Sequence, residues 1–142
     1  MKLYEIFLKS KKTDLETKKI SCSQDAYEVA KQFFSDDINI YESCFILCLN
    51  RANITVQFAK ISQGGVSGTT VDTKIVCKYA IESLASGVIF IHNHPSGDIN
   101  PSSSDILVYE RLEKALNVFD IDLIDSIIIS DKKYYSFKDN QL

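Results

Sequence analysis

The sequence predicts an α+β fold, three-layer and α/β/α-like, in which a mixed β-sheet is flanked by helices. Three observations carry that expectation. Strand-like and helix-like patterns follow one another in the order β-β-α-β-β-α-β-α-β-β, which calls for a sheet with helices packed on it rather than a bundle or a sandwich. The run Gly87-Val-Ile-Phe-Ile91 is apolar and β-branched, as a buried strand should be. Hydrophobic residues make up 45% and charged residues 25% of a 142-residue chain, which excludes wholesale disorder and allows one domain to bury roughly two thirds of its unfolded surface.

The elements are justified in order. Leu3 to Lys9 and Lys18 to Cys22 read as the strands of an N-terminal hairpin, an extension over residues 1–22, with a polar turn around Lys11 to Glu16. A helix follows from about Gln24 to Phe34, capped by Ser23 or Asp25, with Tyr27, Ala30, Phe33 and Phe34 on its apolar side. Glu42 to Asn50 and Asn53 to Ser62 form a second hairpin around Asn50-Arg51-Ala52, and Gln63 to Thr70, with Gly64, Gly65 and Gly68, is a loop. Thr73 to Ala85 carries Ile75, Val76, Tyr79, Ala80, Ile81 and Leu84 at helical spacing and leads into the Gly87 strand. A last helix runs from roughly Pro101, in the favoured first helical position, to Asn117. Strands at Ile121 to Ser130 and Tyr134 to Phe137 close the chain.

Charge and cysteine usage narrow the function. A net charge of -3 and a pI near 5.3 do not favour sequence-independent binding to nucleic acid, which rests on clustered Lys and Arg. Lys9, Lys11, Lys12, Lys18 and Lys19 are a local exception, read as a solvated turn that protects an edge strand. Cys22, Cys44, Cys48 and Cys77 match no disulfide framework and no paired Cys-x-x-Cys site, so they are expected to be reduced and mostly buried. With no signal peptide and no long apolar run, the expectation is no membrane and a cytoplasmic address.

The chemistry lies in His92-Asn-His-Pro-Ser-Gly-Asp-Ile-Asn-Pro-Ser-Ser-Ser-Asp105. On an extended strand His92 and His94 leave from one face, and Asp105, about a turn into the following helix, can point back at them. A hydrolytic zinc site takes three protein ligands and leaves a fourth position to water, whose pKa falls from about 9 in aqueous zinc toward roughly 7. His92, His94 and Asp105 meet that requirement with one Zn2+ per chain. Ser102 can supply a hydroxyl donor to an oxyanion. Proton transfer still needs a carboxylate outside the ligand set.

His92-x-His94-Pro95, then six residues, then Ser102-x-x-Asp105 resembles the JAMM motif of the JAB/MPN zinc metalloproteases. The surrounding Ile91-His-Asn-His-Pro-Ser-Gly97, Ser67-Gly68-Thr69, Leu123-Ile124-Asp125 and Tyr135-Ser136-Phe137 resemble the RadC branch, over about Asp25 to Phe137. Five fixed positions arise by chance on the order of once in 10⁵ chains of this size. The resemblance implies a JAB/MPN, cytidine-deaminase-like architecture and a metalloprotease or hydrolase acting on a peptide or protein substrate. It also implies a glutamate at the start of an upstream apolar strand, which Tyr41-Glu42-Ser43-Cys44-Phe45-Ile46 matches, so Glu42 is the candidate general base and acid. Two departures stand out: Ser126 follows Asp125 where RadC proteins commonly have His, and a short hairpin is expected in place of the N-terminal helix-hairpin-helix region of longer relatives.

Plainer readings compete. Ser102-x-x-Asp105 alone would be helix-start chemistry, and Glu42 alone an exposed strand-end charge. Gly64, Gly65 and Gly68 resemble a phosphate-cradling loop, but no Gly-Lys-Ser/Thr follows, and they read as a tight or mobile loop beside the substrate groove. The literal His-Asn-His invites comparison with HNH nucleases, whose named residues are dispersed over a larger unit, while Asn93 points away from the ligands on a strand. Two functional alternatives to a zinc metalloprotease remain. One is a DNA-associated accessory protein, as the family's repair name suggests, and the other a metal-stabilised binding module without turnover. Substrate and oligomeric state are open.

Overall fold

The computed structural model describes residues 1–7, 9–65 and 68–142. Helix α1 (Ser23–Lys31) and a 3-10 turn (Asp36–Asn39) precede strand β1 (Ser43–Leu49) and strand β2 (Thr55–Gln63). Then come α2 (Thr73–Glu82), β3 (Gly87–Asn93), α3 (Ser103–Asn117), β4 (Asp122–Ile129) and β5 (Tyr134–Ser136). The five strands lie in the order β2-β1-β3-β4-β5, antiparallel except for β3 and β4. That parallel pair is joined through α3, since parallel neighbours need a crossover. The mixed sheet flanked by helices is therefore as the sequence predicts.

Both faces of the sheet are covered, which makes three layers. Alternate residues divide the two sides. Phe45, Leu47 and Leu49 of β1, with Ile89 and Ile91 of β3 and Ile127 and Ile129 of β4, pack under α1. Cys44, Ile46 and Cys48, with Val88 and Phe90, face Val76 and Ala80 of α2 and Leu112 and Leu116 of α3. Every residue of β1 and of β3 is buried, which is why these strands read as apolar runs and not as alternations. His92 continues the series Val88, Phe90 and so faces the α2 and α3 layer, while Asn93 continues Ile89, Ile91 on the α1 side.

Local chemistry sets several boundaries. Asn50 Oδ1 accepts from the backbone N–H groups of Ala52 at 2.9 Å and Ile54 at 3.0 Å, and Asn53 takes a left-handed φ of 60°, so this turn closes the β1–β2 hairpin. Helix α1 starts a residue earlier and ends three residues sooner than the apolar pattern suggests, with Cys22 at its N-cap and no side-chain cap; Asp25 instead accepts from Ser21 N–H at 2.8 Å. Phe33 and Phe34, past its end, still reach the core, with Phe33 stacked on Phe58 at 4.3 Å and Phe34 edge-on to Phe45 at 5.0 Å. Pro101 is not the first helical residue, because Ser102 is the N-cap and α3 begins at Ser103.

The N-terminal hairpin is a correction. Among the described residues before Lys18 there is no strand, and Leu3, Tyr4, Ile6 and Phe7 are 79–100% exposed. Leu8 lies outside the described residues. Among the described residues this end joins the sheet through an isolated bridge, Lys19 to Ile54, with Thr55 N–H donating to Lys18 O at 2.9 Å and Lys18 N–H to Thr55 Oγ1 at 2.8 Å. An apolar alternation needs a face to bury against, and a two-stranded hairpin by itself is marginal in water. Lys18, assigned to the hairpin, lies over α1 instead, 2.5 Å from Glu28 and 3.6 Å from Asp25. Among the described residues no helix is long and apolar enough to cross a membrane.

Candidate metal centre

The centre forms where β1, β3 and α3 meet, on the side of the sheet that carries α2 and α3. Strand β3 delivers His92 and, one residue past its end, His94. Register then fixes what lies beside them: His92 is opposite Cys44 of β1, so the residues just before β1 come next to the imidazoles. Glu42 is held there by backbone bonds on both sides, its N–H donating to Gly65 O at 3.1 Å and its carbonyl accepting from Gly64 N–H at 2.8 Å. This requires Gly64 to be glycine, since a Cβ would lie 2.0 Å from the Gly68 carbonyl oxygen. Gly68 in turn sits against the Glu42 carboxylate. Val66 and Ser67, the latter part of the Ser67-Gly68-Thr69 match, lie outside the described residues.

Asp105 comes from α3 through a capping box. The Ser102 Oγ accepts from Asp105 N–H at 3.1 Å, and Asp105 Oδ2 accepts from Ser102 N–H at 2.8 Å. The plain helix-start reading of Ser-x-x-Asp is thus correct, and it is also what aims the carboxylate. Asp105 Oδ1 lies 3.2 Å from His92 Nε2, and Oδ2 lies 3.1 Å from His94 Nε2. One potential ligand atom from each of Glu42, His92, His94 and Asp105 falls within 4.8 Å of all the others. A cavity of about 610 Å3, lined also by Cys44, Thr69 and Val71, opens onto them.

The donor set fits a cation. His92 is 4% exposed, yet neither ring nitrogen makes a hydrogen bond: its approach to Asp105 is close enough but misdirected. A buried ring nitrogen left without a partner is costly, and a metal ion on Nε2 removes the share of that cost that falls on Nε2. His94 is prepared differently. Its Nδ1 lies 2.6 Å from the carbonyl of Asp98, so that nitrogen carries the proton and Nε2 can offer its lone pair to a cation. Gly97, at φ 86°, makes the turn that brings Asp98 back.

The charges of the cluster adjust to one another. The hydrogen bond to Asp105 raises the His94 pKa against the opposing effect of burial. Burial favours protonated Asp105, but the two imidazoles facing it and the Ser102 N–H outweigh burial and hold the carboxyl far below its usual range. Burial pushes Glu42 up, although His92 and His94 oppose it. Cys44 is pushed up to about 12 by burial, so its thiol stays protonated beside the cavity. All four cysteines are free, with Cys44 and Cys48 buried and Cys22 exposed.

A family model described as "RadC-like JAB domain" matches residues 20–142. The chain belongs to the RadC-like JAB domain family. The match begins at Ile20, the first buried residue among the described ones. Relatives of this JAB domain include "UPF0758" proteins of Staphylococcus carnosus, 40% identical over 125 residues, and of Flavobacterium johnsoniae, 38% identical over 125 residues. A third, from Porphyromonas gingivalis, is 36% identical over 124 residues. The alignments cover 87–88% of this chain and 54% of each relative, so the chain spans about half the length of the proteins it resembles.

Glu42, His92, His94 and Asp105 are therefore brought together, and Ser102 lies at the rim as the cap that orients Asp105. Ser126, where RadC proteins commonly have His, is buried opposite Phe90, and the cluster forms without it. The carbonyl of Asp98 was missed, while Cys44, expected as a buried reduced thiol, flanks the cluster. The Pro-Ser-Gly-Asp turn signal was present for Asp98, but a backbone carbonyl leaves no mark in residue identity.

Proposed function

We propose that this RadC-like JAB domain is a zinc-dependent hydrolase of peptide or isopeptide bonds. The observation that carries the reading is the buried, unpaired His92 imidazole within one 4.8 Å cluster with Glu42, His94 and Asp105. Two imidazoles and one carboxylate suit zinc and leave a coordination position free. When bound, the ion would polarise the scissile carbonyl and lower the pKa of water toward neutrality.

The chain's own residues have separable tasks. His92, His94 and Asp105 hold the ion, with Asp98 O fixing the His94 tautomer through Nδ1. Glu42 is the one carboxylate of the cluster not tied up in the Asp105 capping box. It accepts a proton from the attacking water and returns it to the leaving nitrogen, and its raised pKa suits a group that must do both. The Ser102 oxygen accepts from Asp105 N–H, which leaves its hydroxyl proton free to donate to the oxyanion. The cavity admits an extended substrate to these groups.

Metal analysis joined to two variants tests the reading. The parent should carry one zinc per chain, His92→Ala should lose it, and Glu42→Gln should keep it while losing hydrolysis of a peptide and isopeptide library. Zinc retained by His92→Ala, or turnover retained by Glu42→Gln, would reject the assignment.

A further inference from the structure

We infer that Asn93 is a positioning residue that sets Glu42 against the imidazole pair. The inference rests on the reading above, in which Glu42 moves protons at the metal centre. Asn93 lies between the two histidines in sequence and, because strand side chains alternate, on the opposite face of the sheet. It is fully buried there, at 0% exposure. Its carboxamide is saturated by one short stretch of chain. Oδ1 accepts from Ser43 N–H at 2.7 Å, and Nδ2 donates to the carbonyls of Ile38 at 2.6 Å and Tyr41 at 2.8 Å.

Tyr41 and Ser43 are the residues on either side of Glu42. The backbone ladder between β1 and β3 ends at Cys44 opposite His92. Ser43 and Asn93 would be the next opposed pair, and there the Asn93 side chain replaces the main-chain bonds. One side chain thus ties the backbone on both sides of Glu42 to the strand that presents His92 and His94. Motion of either segment would otherwise change the distance between the carboxylate and the imidazoles.

The residue type follows from the contacts. One acceptor faces an N–H and two donors face carbonyls, a pattern that a carboxamide satisfies completely. Aspartate would set a second acceptor against two carbonyl oxygens, and serine is too short to span the three partners. Asn93 therefore acts through Glu42 and touches neither ion nor substrate.

Amide hydrogen exchange and zinc competition against a chromophoric chelator, applied to Asn93→Ala, test the inference, with Ile89→Ala as a destabilised control on the same face of β3. The expected result is zinc affinity within about threefold of the parent, exchange at Glu42 and Ser43 faster by about tenfold or more with β4 amides unchanged, and hydrolysis falling with Glu42→Gln. Unchanged exchange at Glu42 and Ser43 would overturn it, as would acceleration spread across the sheet as in Ile89→Ala, or zinc loss as severe as in His92→Ala. Should Asn93→Ala not fold, Asn93→Ser is read in the same way. A parent that binds no zinc would sink the hydrolase reading, while the exchange measurement would still decide whether Asn93 holds the Glu42 segment.

Discussion

The Ser136 hydroxyl donates to Asp125 Oδ2 at 2.6 Å, joining β5 to a carboxylate buried inside β4. Oδ1 accepts from the backbone N–H groups of Ser126 at 2.7 Å and Lys138 at 3.0 Å. The Leu123-Ile-Asp125 and Tyr135-Ser-Phe137 segments, which the sequence presents as two separate matches, are thus the two halves of one contact. Their bonds hold the turn after β5, whose Phe137 is fully buried. Ser136→Ala would leave the carboxylate one donor short and should cost about 1–3 kcal/mol, read from urea denaturation. A loss within experimental error would show that the two backbone donors suffice.

The same carboxylate has a pH signature. Burial pushes Asp125 above its ordinary value, with Ser136 and the backbone donors opposing. A raised folded-state pKa means that the native state holds the proton more tightly than the unfolded chain. The stability this gives is present below the unfolded pKa and is lost as pH rises through the folded pKa. The stability of the parent relative to Asp125→Asn should therefore decrease as pH rises above about 4, the ordinary value of the group. An increase over that range would contradict the sign.

Ser102 has two roles that a mutation series can separate. Ser102→Ala removes the N-cap of α3 and should cost about 0.5–2 kcal/mol, while Ser102→Asp restores a cap acceptor. If the hydroxyl also donates to the oxyanion, Ser102→Asp should recover stability without recovering hydrolysis. Equal recovery of both would assign Ser102 to capping alone.

Zinc should stabilise the protein through the cluster. At a free concentration of about 100 times its Kd, a ligand that binds only the native state adds about 2.7 kcal/mol, which is several degrees of Tm for a chain of this size. His92→Ala should abolish the shift, and a chelator should reverse it in the parent. A shift that persists in His92→Ala would place the ion elsewhere.

Features carried by short-range pattern were legible in the sequence. The apolar run Gly87 to Ile91 is β3, the spacing of His92 and His94 puts both on one face, and Ser102-x-x-Asp105 is a helix start whose geometry follows from backbone donors within one turn. The same kind of pattern misled at Leu3 to Phe7, because alternation states which residues could share a face and not whether a face exists to cover them. The 3-10 turn at Asp36–Asn39 has no apolar period and escaped notice, although it leads into the segment that carries Glu42.

The sequence by itself determined the layers, the metal-type donors on one strand-turn-helix and the capping box that aims Asp105, because each depends on residues close together in the chain. Only the tertiary structure decided that the entry to β1 lies beside β3, which places Glu42 with its ligand atom inside the cluster of His92, His94 and Asp105. It also showed that Asn93, facing away from the histidines, bonds the backbone around Glu42, and that the described residues before Ile20 do not build a hairpin. The reason is physical: strand register is set by burial over the whole sheet, and hydrogen-bond partners fifty residues apart leave no local periodicity to read.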